Sequence, residues 1–214
     1  KGQYLAFEPP HFGSGATVAG CVAAGLSGPR RASMGAVRDF MLGVKLLDGR
    51  GDVLKFGGQV MKNVAGYDVS RLVAGSLGTL GIMLEVSLKV LPRPVAEATL
   101  RFELDEATAL RRLNEWGGQP LPVSASLWTE GVLHVRLSGA EAAAGPATER
   151  LGGERLDRAE ASALWAAVRE QTAAPFACGA GEVLWRVALP GTAPALALGG
   201  RQVVEWGGAL RWVV

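Results

Sequence analysis

Residues 57–82, GGQVMKNVAGYDVSRLVAGSLGTLGI, decide how the first part of this chain must be read. Glycines stand at 57, 58, 66, 75, 78 and 81 among helix-forming and aliphatic residues. The stretch runs straight into Ile82–Val90, where Ile82, Leu84, Val86, Leu88 and Val90 alternate with Met83, Glu85, Ser87 and Lys89. That period of two predicts a half-buried strand with the aliphatic set inward. Ahead of the last three glycines, Asp68 is placed to cap a short helix with Val69, Leu72 and Val73 on one face, and Gly75 to end it. The order is helix, glycine turn, strand. Gly75, Gly78 and Gly81 are spaced by threes, near a dinucleotide fingerprint. A Rossmann site needs strand, glycine turn, helix, so that the pyrophosphate meets a helix N-terminus. Here the polarity is reversed, and no Gly-Lys-Ser/Thr follows to make a P-loop. The glycines therefore serve close backbone approach, either to a neighbouring strand or to a ligand.

Upstream, Tyr4–Phe7 reads as a short strand ended by Glu8-Pro9-Pro10. His11–Gly15 is a loop. From Ala16 to Gly25 the residues are small, which predicts a short helix whose surface lets something approach closely, with Ser14 or Thr17 as N-cap. Two readings stay open for it: an anion-binding helix start, or a tightly packed Ala/Gly crossing. Arg30 and Arg31 follow the Ser27-Gly28-Pro29 turn; they suit a phosphate or carboxylate, or a solvated surface pair. Residues 38–47 and 52–56 predict two strands around the hairpin turn Asp48-Gly49-Arg50-Gly51.

Pro92-Arg93-Pro94 closes this region, and the composition turns from glycine-dense to Ala/Leu/Trp helical. Residues 98–104 alternate as a strand. Asp105 caps a helix with Leu110, Leu113 and Trp116 on one face, ended by Gly117-Gly118. Residues 125–129 and 132–137 form a hairpin around Glu130-Gly131. Helices follow at about 140–151 and 159–172, the second with Leu164, Trp165 and Val168 inward. Residues 183–189, 203–206 and 210–214 are strands. Helices on one face of an antiparallel sheet, in this order, are ferredoxin-like in outline.

The 214 residues suffice for one large or two small domains, and 49% apolar content supports a sizeable core. A formal charge of +2 implies no nucleic-acid or membrane field. No apolar run reaches the roughly 20 residues of a membrane span. Cys21 and Cys178 have no metal spacing and are expected as buried free thiols in a reducing compartment. His11 and His134 are too isolated for a histidine metal site, and His134 is expected with Arg136 on one face of its strand, solvent-facing in the favoured reading and ligand-facing in the other. No HExxH, paired-cysteine or GxSxG motif occurs, so no hydrolytic site assembles.

Several of these segments together resemble one family. They are Ala16–Gly20 with Ala23-Ala24, Ser27–Arg31, Val37–Asp39, Asp48-Gly49, Met61–Asp68 and Gly75–Gly81. The likeness is to the FAD-binding domain of the vanillyl-alcohol-oxidase/PCMH flavoproteins. It covers about residues 4–94, and the pair KNVAGYD and GSLGTLGI makes it specific. The later region fits that family's cap by outline, with Trp185, Pro190 and Gly207-Gly208 before Arg211-Trp212 in support. The fold class so implied is α+β. Residues 1–94 would be the second subdomain of a PCMH-type FAD-binding domain. Residues 95–214 would be a ferredoxin-like α+β cap, incomplete at its C-terminus.

The resemblance implies FAD lying against Pro10, Gly13, Ala16, Thr17, Gly20, Ala24, Gly28, Gly35, Arg38, Asp39, Gly81 and Ile82. In the family a first subdomain with its own diphosphate loop precedes this region. The start at Lys1-Gly2 suggests a fragment or processed chain, so FAD binding by this truncated chain is expected to be weak or lost. Relatives that oxidise substrate carry Glu in a GSEGT motif where this chain has Leu77, and they hold arginine and a histidine-containing metal site in the cap. No catalytic residue or metal site is therefore assigned. The implied role is the FAD-binding subunit of a glycolate (2-hydroxy acid) oxidase or dehydrogenase complex. Its partners would be a catalytic flavoprotein subunit and an iron–sulfur subunit. It would lie in the cytoplasm, with peripheral attachment to the inner membrane through those partners. Two alternatives remain: a flavin-free assembly subunit, and a standalone FAD-linked oxidase.

Overall fold

The structure, a computed structural model, describes residues 1–58 and 66–214. Lys62–Ala65 of the KNVAGYD segment therefore lie outside the described residues, with 59–61 before them. The chain divides into two compact units, Lys1–Arg93 and Pro94–Val214.

The first unit contains β1 (Gln3–Tyr4), α1 (Val18–Ala24), α2 (Arg31–Met34), a 3-10 turn (Val37–Phe40), β2 (Met41–Leu47), β3 (Val53–Gly57), α3 (Val69–Leu72), β4 (Ile82–Leu88) and β5 (Leu91–Pro92). β2 is the centre of an antiparallel three-stranded sheet ordered β3-β2-β4, and β1 pairs with β5. Thr17 is the N-cap of α1: its Oγ1 accepts the Gly20 N–H at 3.0 Å. Gly25, with φ 68°, closes the helix as a left-handed C-cap. Asp68 caps α3 by accepting the Arg71 N–H. Ala6, Phe7, Val22, Val37, Phe40, Met41, Val44, Leu46 and Val73 make the core.

Three strand expectations need correction here. Residues 38–40 are not strand, because Asp39 accepts the Ala36 N–H at 2.8 Å and winds a 3-10 turn before β2. Ala6 and Phe7 form a buried turn, not strand. In β4 the pairing slips between Lys45–Glu85 and Leu46–Met83, a bulge at Leu84. The extra residue reverses the alternation. Met83, Val86 and Leu88 pack on the core, while Ile82 and Leu84 are 64% and 51% exposed.

The second unit contains β6 (Ala96–Glu103), α4 (Glu106–Gly117), β7 (Val123–Thr129), β8 (Val132–Gly139), α5 (Glu141–Leu151), β9 (Glu154–Arg155), α6 (Arg158–Arg169), β10 (Trp185–Ala188), β11 (Gln202–Glu205) and β12 (Leu210–Val213). The antiparallel sheet is ordered β10-β12-β11-β7-β8-β6-β9. Its β7-β8-β6-β9 part, taken with α4 and α5, is the ferredoxin-like βαββαβ arrangement. β9 closes it with two residues only, too few for any alternation to show in the sequence.

Leu100, Phe102, Leu133, Val135 and Leu137 face α4 and α5. α6 lies on the other side: Trp165 Nε1 donates to Thr99 Oγ1 at 2.9 Å, and Arg136 stacks on the Trp165 ring 4.7 Å from its centre. The helices thus cover both faces, not one. On β6 and β8 that side is polar, and Trp165 pairs with Thr99 and Arg136. On β7 and β11 it is apolar, and Ala125, Leu127 and Val203 form a second core with Trp165 and Val168.

Candidate functional site

The first unit ties together most of the segments expected to carry ligand contacts. The Gly28 N–H bonds Phe7 O at 2.9 Å, which sets the 27–29 turn beside the chain leading to buried Pro10. Ser27 Oγ accepts the Val37 N–H at 3.0 Å, joining that turn to Gly35, Arg38 and Asp39. Arg38 is exposed, and the Asp39 carboxylate is used on the Ala36 amide. The N–H groups of Gly75 and Leu77 bond Val22 O and Ala23 O at 2.9 and 2.8 Å. They bring the turn before Gly81 and Ile82 onto the end of α1. Gly13 and Ala16 sit on the exposed loop ahead of it.

Thr17, Gly20 and Ala24 are exposed at i, i+3 and i+7, so they share one face of α1. A Cβ added to Gly20 would meet only Thr17 Oγ1, at 2.9 Å, and one on Gly13 would meet nothing within 4 Å. The face is small and open, and Ile82 on the linked strand is exposed. Arg30 does not belong to it: it is buried, 3.8 Å from Glu8, with its guanidinium over Tyr4. Exposed Arg31 is the other half of that pair.

The glycines of the opening stretch divide between the two uses the sequence left open. A Cβ on Gly57 would overlap Leu42 O, and one on Gly81 would sit 2.5 Å from Leu47 O. These two are required by the sheet. Gly20 is not. Sequence reading missed Gly25 and Leu77 as parts of the arrangement. Gly25 signalled only a helix end, and Leu77 adopts φ 52°, which no residue pattern announces for leucine.

In the second unit His134 is half-buried, not solvent-facing, and Arg136 is 2% exposed. Burial, and then the charge of Arg101 across the strand, push the imidazole pKa below its ordinary value. Among the described residues no three His, Cys, Asp or Glu side chains gather where they could hold a metal. Cys178 is exposed, contrary to expectation, and Cys21 is half-buried with its thiol pushed up to about 11.

No family model matches the chain. It is 50% identical over 212 residues to the glycolate oxidase subunit GlcE of Escherichia coli strain K12, covering 99% of this chain and 59% of that protein. It is also 38% identical over 96 residues to the glycolate oxidase subunit GlcD of Bacillus subtilis strain 168, covering 44% of this chain and 20% of that one. Its homologues are FAD-linked oxidoreductases of the PCMH type. A further relative in this family is a mitochondrial cytochrome D-lactate dehydrogenase of Arabidopsis thaliana, 37% identical over 153 residues, 60% of this chain and 27% of the enzyme. Among solved structures, an alkyldihydroxyacetonephosphate synthase matches with a TM-score of 0.60 at 14% identity, over 88% of this chain and 44% of that one. At that identity the likeness speaks for the fold. The chain spans about three-fifths of the length of GlcE. No helix among the described residues is long and apolar enough to cross a membrane.

Proposed function

We propose that this chain is the FAD-holding, electron-relaying part of a subunit in a complex that oxidises glycolate or a similar 2-hydroxy acid. The observation that carries the reading is the likeness to GlcE along 99% of the chain. The first unit would be the second half of the FAD-binding domain and the second unit its cap. Thr17, Gly20 and Ala24 on α1 would hold the flavin with Gly81-Ile82, Gly28 and the Gly35–Asp39 segment. Pro10, Gly13 and Ala16 would shape the preceding loop. When bound, FAD accepts two electrons and can return them one at a time. The partners would be a catalytic flavoprotein subunit and an iron–sulfur subunit, with attachment at the inner membrane face through them.

The chain's own residues support relay over catalysis. Oxidising a 2-hydroxy acid needs a base at the hydroxyl and a cation at the carboxylate. Position 77 offers an exposed leucine, and His134, the sole imidazole of the second unit, lies half-buried opposite Arg101.

Gly20→Leu in the natural-length subunit tests the site. A leucine there would project from the exposed face of α1 and should remove bound flavin, read from the visible spectrum, with the circular dichroism unchanged. Undiminished flavin would take Gly20 out of the site. Lost folding would instead favour a helix-packing role for this glycine.

A further inference from the structure

We infer that Gly25 and Gly75 form a backbone joint that makes the exposed face of α1 and the Gly81-Ile82 start of β4 one rigid unit. The joint stands on geometry; only its use, keeping two groups of flavin contacts in fixed spacing, rests on the function proposed above.

A helix leaves its last carbonyls without partners inside the helix. In α1 these are filled from two directions. Gly25 N–H and Leu26 N–H turn back to Val22 O and Cys21 O, each at 3.0 Å, closing the helix locally. Gly75 N–H reaches the same Val22 O at 2.9 Å, and Leu77 N–H reaches Ala23 O at 2.8 Å. Both come from a segment about fifty residues further along the chain. The approach is so close that a Cβ on Gly25 would stand 3.2 Å from Gly75 Cα and 3.6 Å from Gly75 N. Both glycines have left-handed backbone, φ 68° and 83°. A Cβ at position 25 would therefore require the 75–77 turn to give by a few tenths of an ångström, on top of the left-handed backbone it would have to hold.

The turn passes that constraint on. Thr79 N–H and Thr79 Oγ1 both donate to Ser76 O, at 3.0 and 2.7 Å, and Gly81 N–H bonds Gly78 O at 3.3 Å. Gly81 is then wedged against Leu47 O of β2, where no Cβ would fit. From Val22 to Leu47 the path runs through backbone contacts and one hydroxyl, with the Leu46 side chain packed beside Gly81 at its end. Leu77 keeps φ 52° within it, a conformation leucine holds only when its surroundings impose it. Movement at the end of α1 is thereby movement at Gly81.

Native-state hydrogen exchange on this chain tests the joint. In the unmodified chain, α1 amides and those of Gly75, Leu77 and Gly81 should open along one common denaturant isotherm. In Gly25→Ala the amides of Gly75, Leu77 and Gly81 should exchange about tenfold faster or more, a loss of roughly 1.4 kcal/mol in local opening. Gly51→Ala is the control, since it has the same left-handed strain at φ 87° but open space around its Cβ. It should leave those amides unchanged. Separate isotherms, acceleration confined to residues 18–26, or an equal effect from Gly51→Ala would overturn the joint. A Gly25→Ala chain that cannot fold leaves the isotherm measurement on the unmodified chain as the decisive one. In the natural-length subunit, Gly25→Ala should weaken flavin binding about tenfold, followed by equilibrium dialysis and absorbance. Unchanged flavin binding beside accelerated exchange at residues 75–81 would keep the joint and remove the flavin from α1.

Discussion

Gly57 in the first unit and Arg211 in the second both sit in crowded places and fill them in opposite ways. At Gly57 the backbone of β3 lies so close to Leu42 O that no side chain fits, and Gly43 meets Gly58 in the same manner. At Arg211 a long side chain is 0% exposed. Its guanidinium bonds Glu106 Oε1 at 3.1 Å and the carbonyls of Pro194 and Ala193 at 2.8 Å each. The second unit repeats this device with Arg136 on Trp165 and Glu205 on Trp212 Nε1. The first unit joins segments through backbone, and the second through polar ends of large side chains. Backbone joints leave small exposed faces such as Thr17-Gly20-Ala24 open to a ligand. Side-chain hubs fill their surroundings and order coil such as residues 190–197. The difference is also measurable, because all six tryptophans, at 116, 128, 165, 185, 206 and 212, lie in the second unit. Their fluorescence reports that unit by itself.

The largest expected effect is at the side-chain hub. Arg211→Ala strips the Pro194, Ala193 and Gly208 carbonyls and the Glu106 carboxylate of their partner at once. Breaking a buried ion pair from one side typically costs about 3–5 kcal/mol. The unfolding free energy from the tryptophan-monitored urea transition should fall by that amount, with hydrogen exchange of the first unit's β2 amides unaffected. A loss below about 1 kcal/mol would mean that water replaces the guanidinium freely and that Arg211 is no hub.

The next effect sets one glycine against another. Gly57 and Gly131 both have left-handed backbone, φ 67° and 81°, but a Cβ on Gly131 would meet nothing within 4 Å. Gly131→Ala should cost about 1–2 kcal/mol from backbone conformation. Gly57→Ala adds overlap with Leu42 O, which overpacking places at a further 1–3 kcal/mol or so. Hydrogen exchange of β2 amides and tryptophan fluorescence read the two costs in their own units. Equal costs would show that φ matters and close approach does not.

How far the sequence reached follows the same division. The second unit's hairpin, the helix capped by Asp105, the later helix near 159–172 and the inward Leu113, Trp116, Trp165 and Val168 were legible, because side-chain periodicity and the Asp105 cap write them directly. The side of the sheet that α6 covers was not. Its β6 and β8 residues, Thr99, Arg101, His134 and Arg136, are polar and look like a solvated face until Trp165 is seen to pair with Thr99 and Arg136 beside Ala125 and Leu127. In the first unit the glycine turn and the caps at Thr17 and Asp68 were legible. The bulge at Leu84 was not, since a slip of one residue leaves the composition of a strand unchanged. Within the candidate site the exposed face of α1 could be read from small residues. Its union with Gly75 and Leu77 could not, because a backbone-to-backbone bond has no side-chain signature.

The smallest effect concerns His134, at the border of the second unit's polar side. It stands across from Arg101 on β6 and Leu127 on β7, and its Nδ1 is buried with no hydrogen-bond partner among the described residues. Burial first, and Arg101 second, hold its pKa below the ordinary histidine value. The folded unit thus resists the proton that the unfolded chain accepts. As pH falls through about 6.5 the unfolded chain binds more protons than the folded one, so stability declines with falling pH. The decline stops once pH passes below the depressed folded value. His134→Gln removes this proton from both states. Urea melts followed by tryptophan fluorescence should therefore show wild type losing stability relative to the variant between about pH 7 and pH 5. His11 belongs to the first unit and does not enter that signal. Parallel stability curves for the two proteins would mean that water or a shift of Arg101 solvates the imidazolium, and that α6 covers His134 less tightly than it covers Arg136.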